Sequence, residues 1–314
     1  YNLTKMKILH PILFYLIFSF NFSAQQIAHY SNYIDNSFYL NPAISSPLKK
    51  QVLLAYRNRW SSFEGAPITT YVSYQSPFLF NGNTKSYSSL GGFLQNDKIG
   101  AFSGATLNFS YSYSFLISER LRCSFGSFIG LQQIGLDVTN LEYFQPNDPV
   151  IGASSYSILF PNMDFGFVIS NENNFVAVSS KQLFQNNWRN IVKSELSKNI
   201  TSYILLFGKK IKLADIILSP NLLIDFSPKL NTLLLLGLDF SYKNIINLGI
   251  ATKNEQSIIS SLKFNIRENI RISYSYDLTH SSYVSNGNNG HELMFSYHTS
   301  IVEKMKRTSL VSYF

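Results

Sequence analysis

Apolar and polar residues alternate along much of the chain with a period of two. In residues 107–115 every odd-numbered residue is aliphatic or aromatic, and every even-numbered residue is small and polar. The same alternation recurs in residues 270–277 and at Leu293, Phe295 and Tyr297. Because successive side chains of a β-strand point to opposite faces, these segments predict strands with one apolar face and one polar face.

The alternation predicts an all-β chain of about 14 strands, separated by turn residues. Two longer gaps, residues 136–160 and 181–200, are predicted to be loops. Residues 52–300 are predicted to form one domain, in which the strands begin near Val52, Ile68, Tyr87, Ala101, Arg120, Asn162, Asn173, Thr201, Asp215, Leu230, Ile245, Ser257, Glu268 and His291.

The apolar face of these strands could meet either a second sheet, as in a soluble sandwich, or lipid. Several segments reach the 9 to 11 residues that a tilted strand needs to cross a bilayer. Their polar faces carry Ser, Thr, Asn and Gln, with few of the charges that coat a soluble surface, and Tyr and Phe are frequent near segment ends. These features favour a transmembrane up-and-down antiparallel β-barrel.

The composition argues against several other classes of protein. Charged residues make up 14% of the 314-residue chain, against about 25% in an average soluble domain. A disordered chain would need more charge, and the single cysteine excludes an internal disulfide framework. The net charge of +8 is spread through turns and a tail without the aromatic-basic groove of a nucleic-acid binder. Lipopolysaccharide and the periplasmic surface are better partners for that charge than nucleic acid.

The start of the chain has the pattern of a secretory signal. A basic stretch around Met6 precedes the apolar residues 8–22 and a small residue, Ala24. We expect residues 1–24 to be a signal peptide with Met6 as initiator and cleavage after Ala24. An N-terminal membrane anchor is the alternative, although the apolar stretch is short for a span of about 20 residues.

A series of short motifs, in order along the chain, resembles the PorP/SprF family of outer-membrane barrels of the type IX secretion system in the Bacteroidota. The family often has Gln where Arg59 stands here. The resemblance covers about residues 25–300 and rests on Asn41-Pro42-Ala43, Tyr56-Arg57-Asn58-Arg59-Trp60, Gly65-Ala66-Pro67, Leu90-Gly91-Gly92, Asn96-Asp97-Lys98-Ile99-Gly100, Asn147-Asp148-Pro149, Pro161-Asn162-Met163-Asp164-Phe165-Gly166, Tyr274-Ser275-Tyr276-Asp277 and Gly290-His291-Glu292-Leu293.

The resemblance implies a non-enzymatic barrel in the outer membrane of a Gram-negative bacterium. Its role would be to assist secretion or surface attachment of specific clients, such as gliding adhesins with a type IX C-terminal domain. It also implies contact with the translocon and with periplasmic, peptidoglycan-linked components. A general porin or small-solute channel is the alternative. We predict neither cofactor nor metal nor catalytic residues, since the sequence has no zinc-ligand spacing and no nucleophile elbow.

Six residues are candidates for contact with a partner or with the lumen: Arg57, Arg59, Trp60, Tyr39, Asn41 and Pro42. If Tyr56 faces lipid, Arg57 and Arg59 face the lumen, where they would either pair with acidic side chains or contact a partner. Residues 25–51 are expected to form a periplasmic or plug-like segment, packed inside or beneath the barrel or serving as a binding arm. The basic tail, residues 301–314, is expected in the periplasm.

Overall fold

A computed structural model of the chain describes residues 28–45, 49–61, 63–78, 85–138, 155–188, 198–228, 230–254, 257–279, 289–300 and 313. None of the helices in these ranges is long and apolar enough to cross a membrane. The elements are one short helix and fifteen strand segments: α1 (Ser37–Leu40), β1 (Lys49–Arg59), β2 (Ile68–Phe78), β3 (Ser86–Ile99), β4 (Phe102–Ser118), β5 (Leu121–Leu136), β6 (Tyr156–Ser170), β7 (Asn174–Lys181), β8 (Ser202–Lys209), β9 (Ile211–Leu213), β10 (Ile216–Phe226), β11 (Leu233–Tyr242), β12 (Ile246–Lys253), β13 (Ser257–Arg267), β14 (Ile270–Thr279) and β15 (Gly290–Ser300).

The strands form one closed antiparallel barrel. Each strand pairs with its neighbours in sequence, and β1 pairs with β15 to close the sheet. Segments β8 and β9 both pair with β10, so they are two parts of one strand interrupted at Lys210. With these two counted together the barrel has 14 strands, which confirms the predicted fold class.

The alternation in the sequence separates the two faces of this wall. On β4, Phe109 is 66% exposed on the outside, whereas Asn108 is 1% exposed on the inside. The next residues show the same alternation, since Tyr111 and Tyr113 are exposed and the serines on either side of each are buried. The apolar outer face belongs in lipid. The buried inner face of β4 is formed by hydroxyl and amide groups, whereas other strands also turn aliphatic and aromatic side chains inward.

The predicted strand starts agree with the structure to within three residues except at β6. Residues 136–160 were expected to be a loop, but β6 begins at Tyr156 and pairs with β5 along its length. Three consecutive apolar residues, Ile158 to Phe160, hide the alternation there. Leu159 faces outward, whereas Ile158 packs on a small inner cluster beside Leu136, so an inward apolar residue broke the pattern.

The two ends of the barrel differ. The strands begin and end with Lys49 and Ser300 at one end, which we call the terminal end. The three longest connections, residues 137–155, 182–201 and 280–289, all lie at the opposite end, which we call the loop end. The expected signal peptide lies outside the described residues, and so does the tail apart from Tyr313, whose ring lies 4.5 Å from that of Phe175 in the lumen.

Candidate functional site

Residues 28–45, which we call the lumen segment, lie inside the barrel. Nearly all of these residues are buried, and they share one hydrophobic cluster with inward side chains of the wall. The described segment has no strand pairing, and its local structure consists of turns and α1. At the end of α1 the backbone amide of Asn41 donates to the carbonyl of Ser37 at 3.0 Å. The structure therefore places this part of the chain within the barrel and not beneath it.

An arginine at the closing seam holds the start of the lumen segment. Arg57 on β1 stands opposite Glu292 on β15, and its Nη1 lies 3.2 Å from the Glu292 carboxylate. Its Nη2 lies 3.0 Å from the Asp277 carboxylate on β14, and Nη1 also donates to the carbonyl of His29. We call Arg57, Asp277 and Glu292 the clamp. All three are buried, so one cation serves two carboxylates away from water.

Glu292 also binds the backbone of the lumen segment. Its two carboxylate oxygens accept the amide hydrogens of Ser31 at 2.7 Å and Asn32 at 2.8 Å. Two neighbouring backbone donors are thereby satisfied by one charged acceptor, and hydrogen bonds of this type are about twice as strong as those between neutral groups. The clamp therefore joins the closure of the barrel to the position of the segment.

A second group of charges, the Asp35 cluster, lies further along the segment. The Asp35 carboxylate is 3.4 Å from the Lys263 ammonium and 3.0 Å from the Arg271 guanidinium. Lys263 also contacts Asp239 at 2.9 Å. Burial favours the neutral acid, but the two cations outweigh it and lower the pKa of Asp35 to about 2. Asp35 is therefore ionised, and it ties the segment to β13 and β14.

The His29 side chain makes a third polar contact with the wall. Its Nε2 lies 3.2 Å from a carboxylate oxygen of Asp225 on β10. Burial lowers the pKa of the imidazole, although Asp225 acts in the opposite direction. This contact joins the start of the lumen segment to β10.

Asn41 and Pro42 rest on two glycines of the wall, which we call the glycine seat. A Cβ atom at Gly126 would lie 2.6 Å from the Pro42 carbonyl, and one at Gly166 would lie 2.8 Å from Pro42 Cδ. No side chain fits between wall and segment at these points. The side-chain amide of Asn41 donates to the carbonyls of Phe167 and Val178, at 3.3 and 2.8 Å.

Tyr39 lies at the centre of the aromatic part of the core. Its ring centroid is 5.3 Å from that of Tyr30 and 5.4 Å from that of Phe93, both in edge-on geometry. The Lys181 ammonium lies 3.5 Å from the Tyr39 ring centroid and donates to the Tyr39 carbonyl at 2.8 Å. Tyr39 thus packs in the lumen, and its carbonyl and ring face stabilise the buried Lys181 ammonium.

The remaining two candidates lie at the loop end of β1. Arg59 points inward and is half-buried, and its guanidinium lies 5.2 Å from the Trp60 ring centroid. Trp60 is 39% exposed and ends the strand with a φ of 56°. Arg57 contacts the lumen segment, and Tyr39, Asn41 and Pro42 belong to it. Among the described residues Arg59 and Trp60 make no hydrogen bond or ion pair with the segment, so they remain candidates for a partner.

The sequence did not single out several residues that hold the segment. Asp277 and Glu292 appeared only within resemblance motifs, and His29, Asp35, Asp225, Lys263 and Arg271 were not chosen at all. One signal was available, because Lys263, Arg271 and Asp277 occupy polar positions of alternating strands whose inward faces are otherwise mostly neutral. A charge at such a position needs a partner in the lumen. The partner itself cannot be chosen from the pattern.

A closed antiparallel barrel with an apolar outer wall and a polar lumen defines a bacterial outer-membrane protein. Here the chain's own N-terminal segment occupies that lumen. Within this class, the chain belongs to the family described as Type IX secretion system membrane protein PorP/SprF, which it matches over residues 22–297. The expected family and the expected location in the outer membrane are confirmed.

Solved structures similar to this one are also outer-membrane barrels. The toluene transporter TbuX of Ralstonia pickettii aligns with a TM-score of 0.51 at 9% identity, over 84% of this chain and 93% of the other. The toluene transporter TodX of Pseudomonas putida gives 0.49 at 9% identity, over 84% and 93%. The monoaromatic hydrocarbon channel CymD gives 0.49 at 11% identity, over 85% and 92%. At 9% identity the likeness to TbuX shows the fold alone. No curated protein matches the sequence.

Proposed function

We propose that this barrel assists the secretion or surface attachment of specific client proteins, gliding adhesins among them, and acts as a filled scaffold rather than a solute channel. The observation that carries the proposal is the lumen segment. Residues 28–45 occupy the space that a diffusion channel needs, and the clamp, the Asp35 cluster and the glycine seat hold them there. A lumen filled in this way leaves the rims and the outer wall as the surfaces for partners.

The two ends of the barrel suit different partners. Outer-membrane barrels carry long loops on the extracellular side and short turns on the periplasmic side, so the loop end faces outward. We assign the client, through its type IX C-terminal domain, to the loop end, where Trp60 and Arg59 are available. The terminal end, with Lys49 and Lys50 exposed, faces the periplasm and its peptidoglycan-linked components. The translocon and lipopolysaccharide are the remaining partners.

Deletion of the gene, followed by proteomics of the cell surface and the medium, tests the proposal. We expect one or a few large secreted proteins to be lost from the surface, while uptake of small solutes is unchanged. Restoring the gene should return those proteins, and a copy with the exposed Lys243 changed to Met should do so equally well. An intact secretome combined with altered solute uptake would overturn the proposal in favour of a small-solute channel.

Purified protein in planar bilayers provides a separate check on the filled lumen. We expect the wild-type protein to give no stable large conductance, because the segment and its polar contacts block the lumen. A stable open pore in the wild-type protein would show that residues 28–45 leave the lumen under these conditions. That result would contradict the filled scaffold even if a client were found.

A further inference from the structure

A cavity of about 430 Å³ lies at the loop end, above the lumen segment. Its floor is formed by His29 and Tyr39 of the segment, and its sides by residues of β1 to β7 together with residues that follow β7. This volume is within the range of sites that bind small molecules, roughly 300 to 1,000 Å³. The cavity shares His29, Tyr39, Arg57 and Lys181 with the contacts that hold the segment in place.

Four buried side chains of this cavity have a polar atom without a hydrogen-bond partner among the described residues: Gln95 Oε1, Asn108 Nδ2, Asn162 Oδ1 and Asp164 Oδ2. Each of the four residues is at most 5% exposed. Buried polar groups in folded proteins are nearly always paired, because an unpaired one is destabilising. A group of unpaired donors and acceptors around one space therefore indicates a polar occupant.

These four side chains are held in place by their other polar atoms. The Asn162 amide donates to Asn108 Oδ1 at 3.2 Å and to Asp164 Oδ1 at 3.4 Å. Asp164 Oδ1 also accepts the Gln182 backbone amide at 2.8 Å. The Gln95 amide donates to Asp97. The free atoms thus belong to a fixed hydrogen-bonded network, and they cannot turn to satisfy one another without breaking it.

The charges around the cavity favour a neutral occupant. Arg57 is engaged by two carboxylates, and Lys181 is engaged by the Tyr39 carbonyl and ring. Asp97 accepts from Thr69 and Gln95. The other two charged side chains of the lining, Arg59 and Asp164, carry opposite charges, so together they leave no surplus of one sign that would select an ion. The free atoms include both acceptors and a donor, which a hydroxyl group can match since it both donates and accepts.

We propose that the loop-end cavity is a binding site for a neutral sugar of about one or two rings. Its hydroxyl groups pair with the free atoms of Gln95, Asn108, Asn162 and Asp164. The apolar faces of its rings pack against Trp188 and Phe102, which also line the cavity. The indole nitrogen of Trp188 is buried without a described partner, and it supplies a further donor. The proposal does not depend on the client role of the barrel.

Intrinsic fluorescence measures this binding directly. The chain has two tryptophans, so a Trp60→Phe protein reports from Trp188 alone. The purified full-length protein is titrated with neutral mono- and disaccharides, and in a separate series with delipidated polysaccharide from the outer membrane of the source cells. We expect saturable quenching or enhancement with at least one of these. A response to the free sugars alone identifies a small-molecule site, and a response to the polysaccharide alone identifies a surface-glycan site.

Two variants and one control test the assignment of the site. Asn162→Ala and Gln95→Ala should each weaken binding about tenfold, because each removes a polar group that the sugar needs. Asn247→Ala is the matched control, since Asn247 points into the lumen near the terminal end and its Oδ1 also lacks a partner within the part of the chain that the structure describes. We expect it to bind like the parent. Melting by circular dichroism identifies any variant that has not folded.

Several outcomes would overturn the proposal. The first is no change in Trp188 fluorescence with any neutral sugar or with the polysaccharide up to about 50 mM ligand, a limit that includes very weak binding. The second is equal binding by the Asn162→Ala and Gln95→Ala proteins and the parent. The third is equal loss in Asn247→Ala, which would show that the response does not come from this cavity.

Discussion

The two halves of the lumen segment are held by different physical means. Residues 29–35 are fixed by charge, through the clamp at the β1–β15 seam and the Asp35 cluster on β13 and β14. Residues 38–45 are fixed by shape, through aromatic packing and the glycine seat on β5 and β6. The charged contacts come from β1 and from the last strands, β13 to β15. The close-packed contacts come from β3, β5 and β6.

One short segment with only a single helical turn can therefore be positioned by contacts with the wall. Buried ion pairs fix which wall residues the segment contacts, because breaking one leaves an uncompensated charge. Close packing on glycine gives distance, because any added atom must displace the segment. The predictions that follow test the two mechanisms separately, by the free energy of unfolding in urea of barrels refolded into phospholipid vesicles.

The largest effect is expected at the clamp. Arg57→Met leaves Asp277 and Glu292 buried without their cation, so we expect a loss of about 3–5 kcal/mol in the free energy of unfolding. We also expect stepwise conductance in planar bilayers, since the start of the segment loses its anchor. Lys243→Met is the control, because the exposed Lys243–Asp215 pair at 4.0 Å should contribute at most about 1 kcal/mol. Equal effects of the two substitutions would show that the clamp does not hold the segment.

The glycine seat should give the next largest effect. Gly126→Ala places a Cβ 2.6 Å from the Pro42 carbonyl, and we expect about 1–3 kcal/mol of destabilisation from overpacking. Hydrogen exchange in residues 38–45 should rise while exchange in the strands is retained. Gly104→Ala is the control, because its Cβ would meet nothing closer than 3.9 Å. If Gly104→Ala were as harmful as Gly126→Ala, strand propensity and not the seat would be responsible.

A smaller effect is expected at Asn41. Asn41→Ala removes two hydrogen bonds to strand carbonyls, and we expect a loss of about 1–2 kcal/mol in the free energy of unfolding. Asn186→Ala removes a single bond to the Pro161 carbonyl at an exposed position and should cost less than half as much. An unchanged free energy for Asn41→Ala would mean that packing of Pro42 alone positions this half of the segment.

The smallest effect on stability is expected at the rim. Arg59→Ala and Trp60→Ala remove a partly exposed cation–π contact, so we expect about 0.5–1 kcal/mol or less. If these residues contact a client, as we propose, surface attachment of that client should fall by far more than stability does. Surface proteomics of cells carrying either variant measures this. Normal attachment in both variants would remove Arg59 and Trp60 from the list of partner contacts.

The wall of the barrel was predictable, whereas the pairing within the lumen was not. Alternation at residues 107–115 shows which side chains face lipid, since a strand offers only two faces. It could not show that Arg57 meets Asp277 and Glu292, which lie 220 and 235 residues away. These partners meet only because the last strand pairs with the first, and that closure is a property of the whole sheet.

The same distinction applies to the candidate residues. Tyr39, Asn41 and Pro42 were chosen because residues 25–51 do not alternate, and two positions for the segment remained open. The sequence shows that Pro42 and Gly166 exist, but it cannot show that one rests on the other. For Lys263 and Arg271 the pattern marks an inward charge, and only the folded lumen supplies Asp35 as its partner.

The class of the fold, the two faces of the strands and, through the ordered motifs, the family follow from the sequence alone. These depend on local rules, because the direction of a side chain along a strand needs no knowledge of distant residues. Only the tertiary structure decided that the N-terminal segment lies inside the barrel, which charges neutralise one another and where polar groups remain unpaired around a cavity. These depend on barrel closure, which brings residues far apart in sequence within hydrogen-bonding distance.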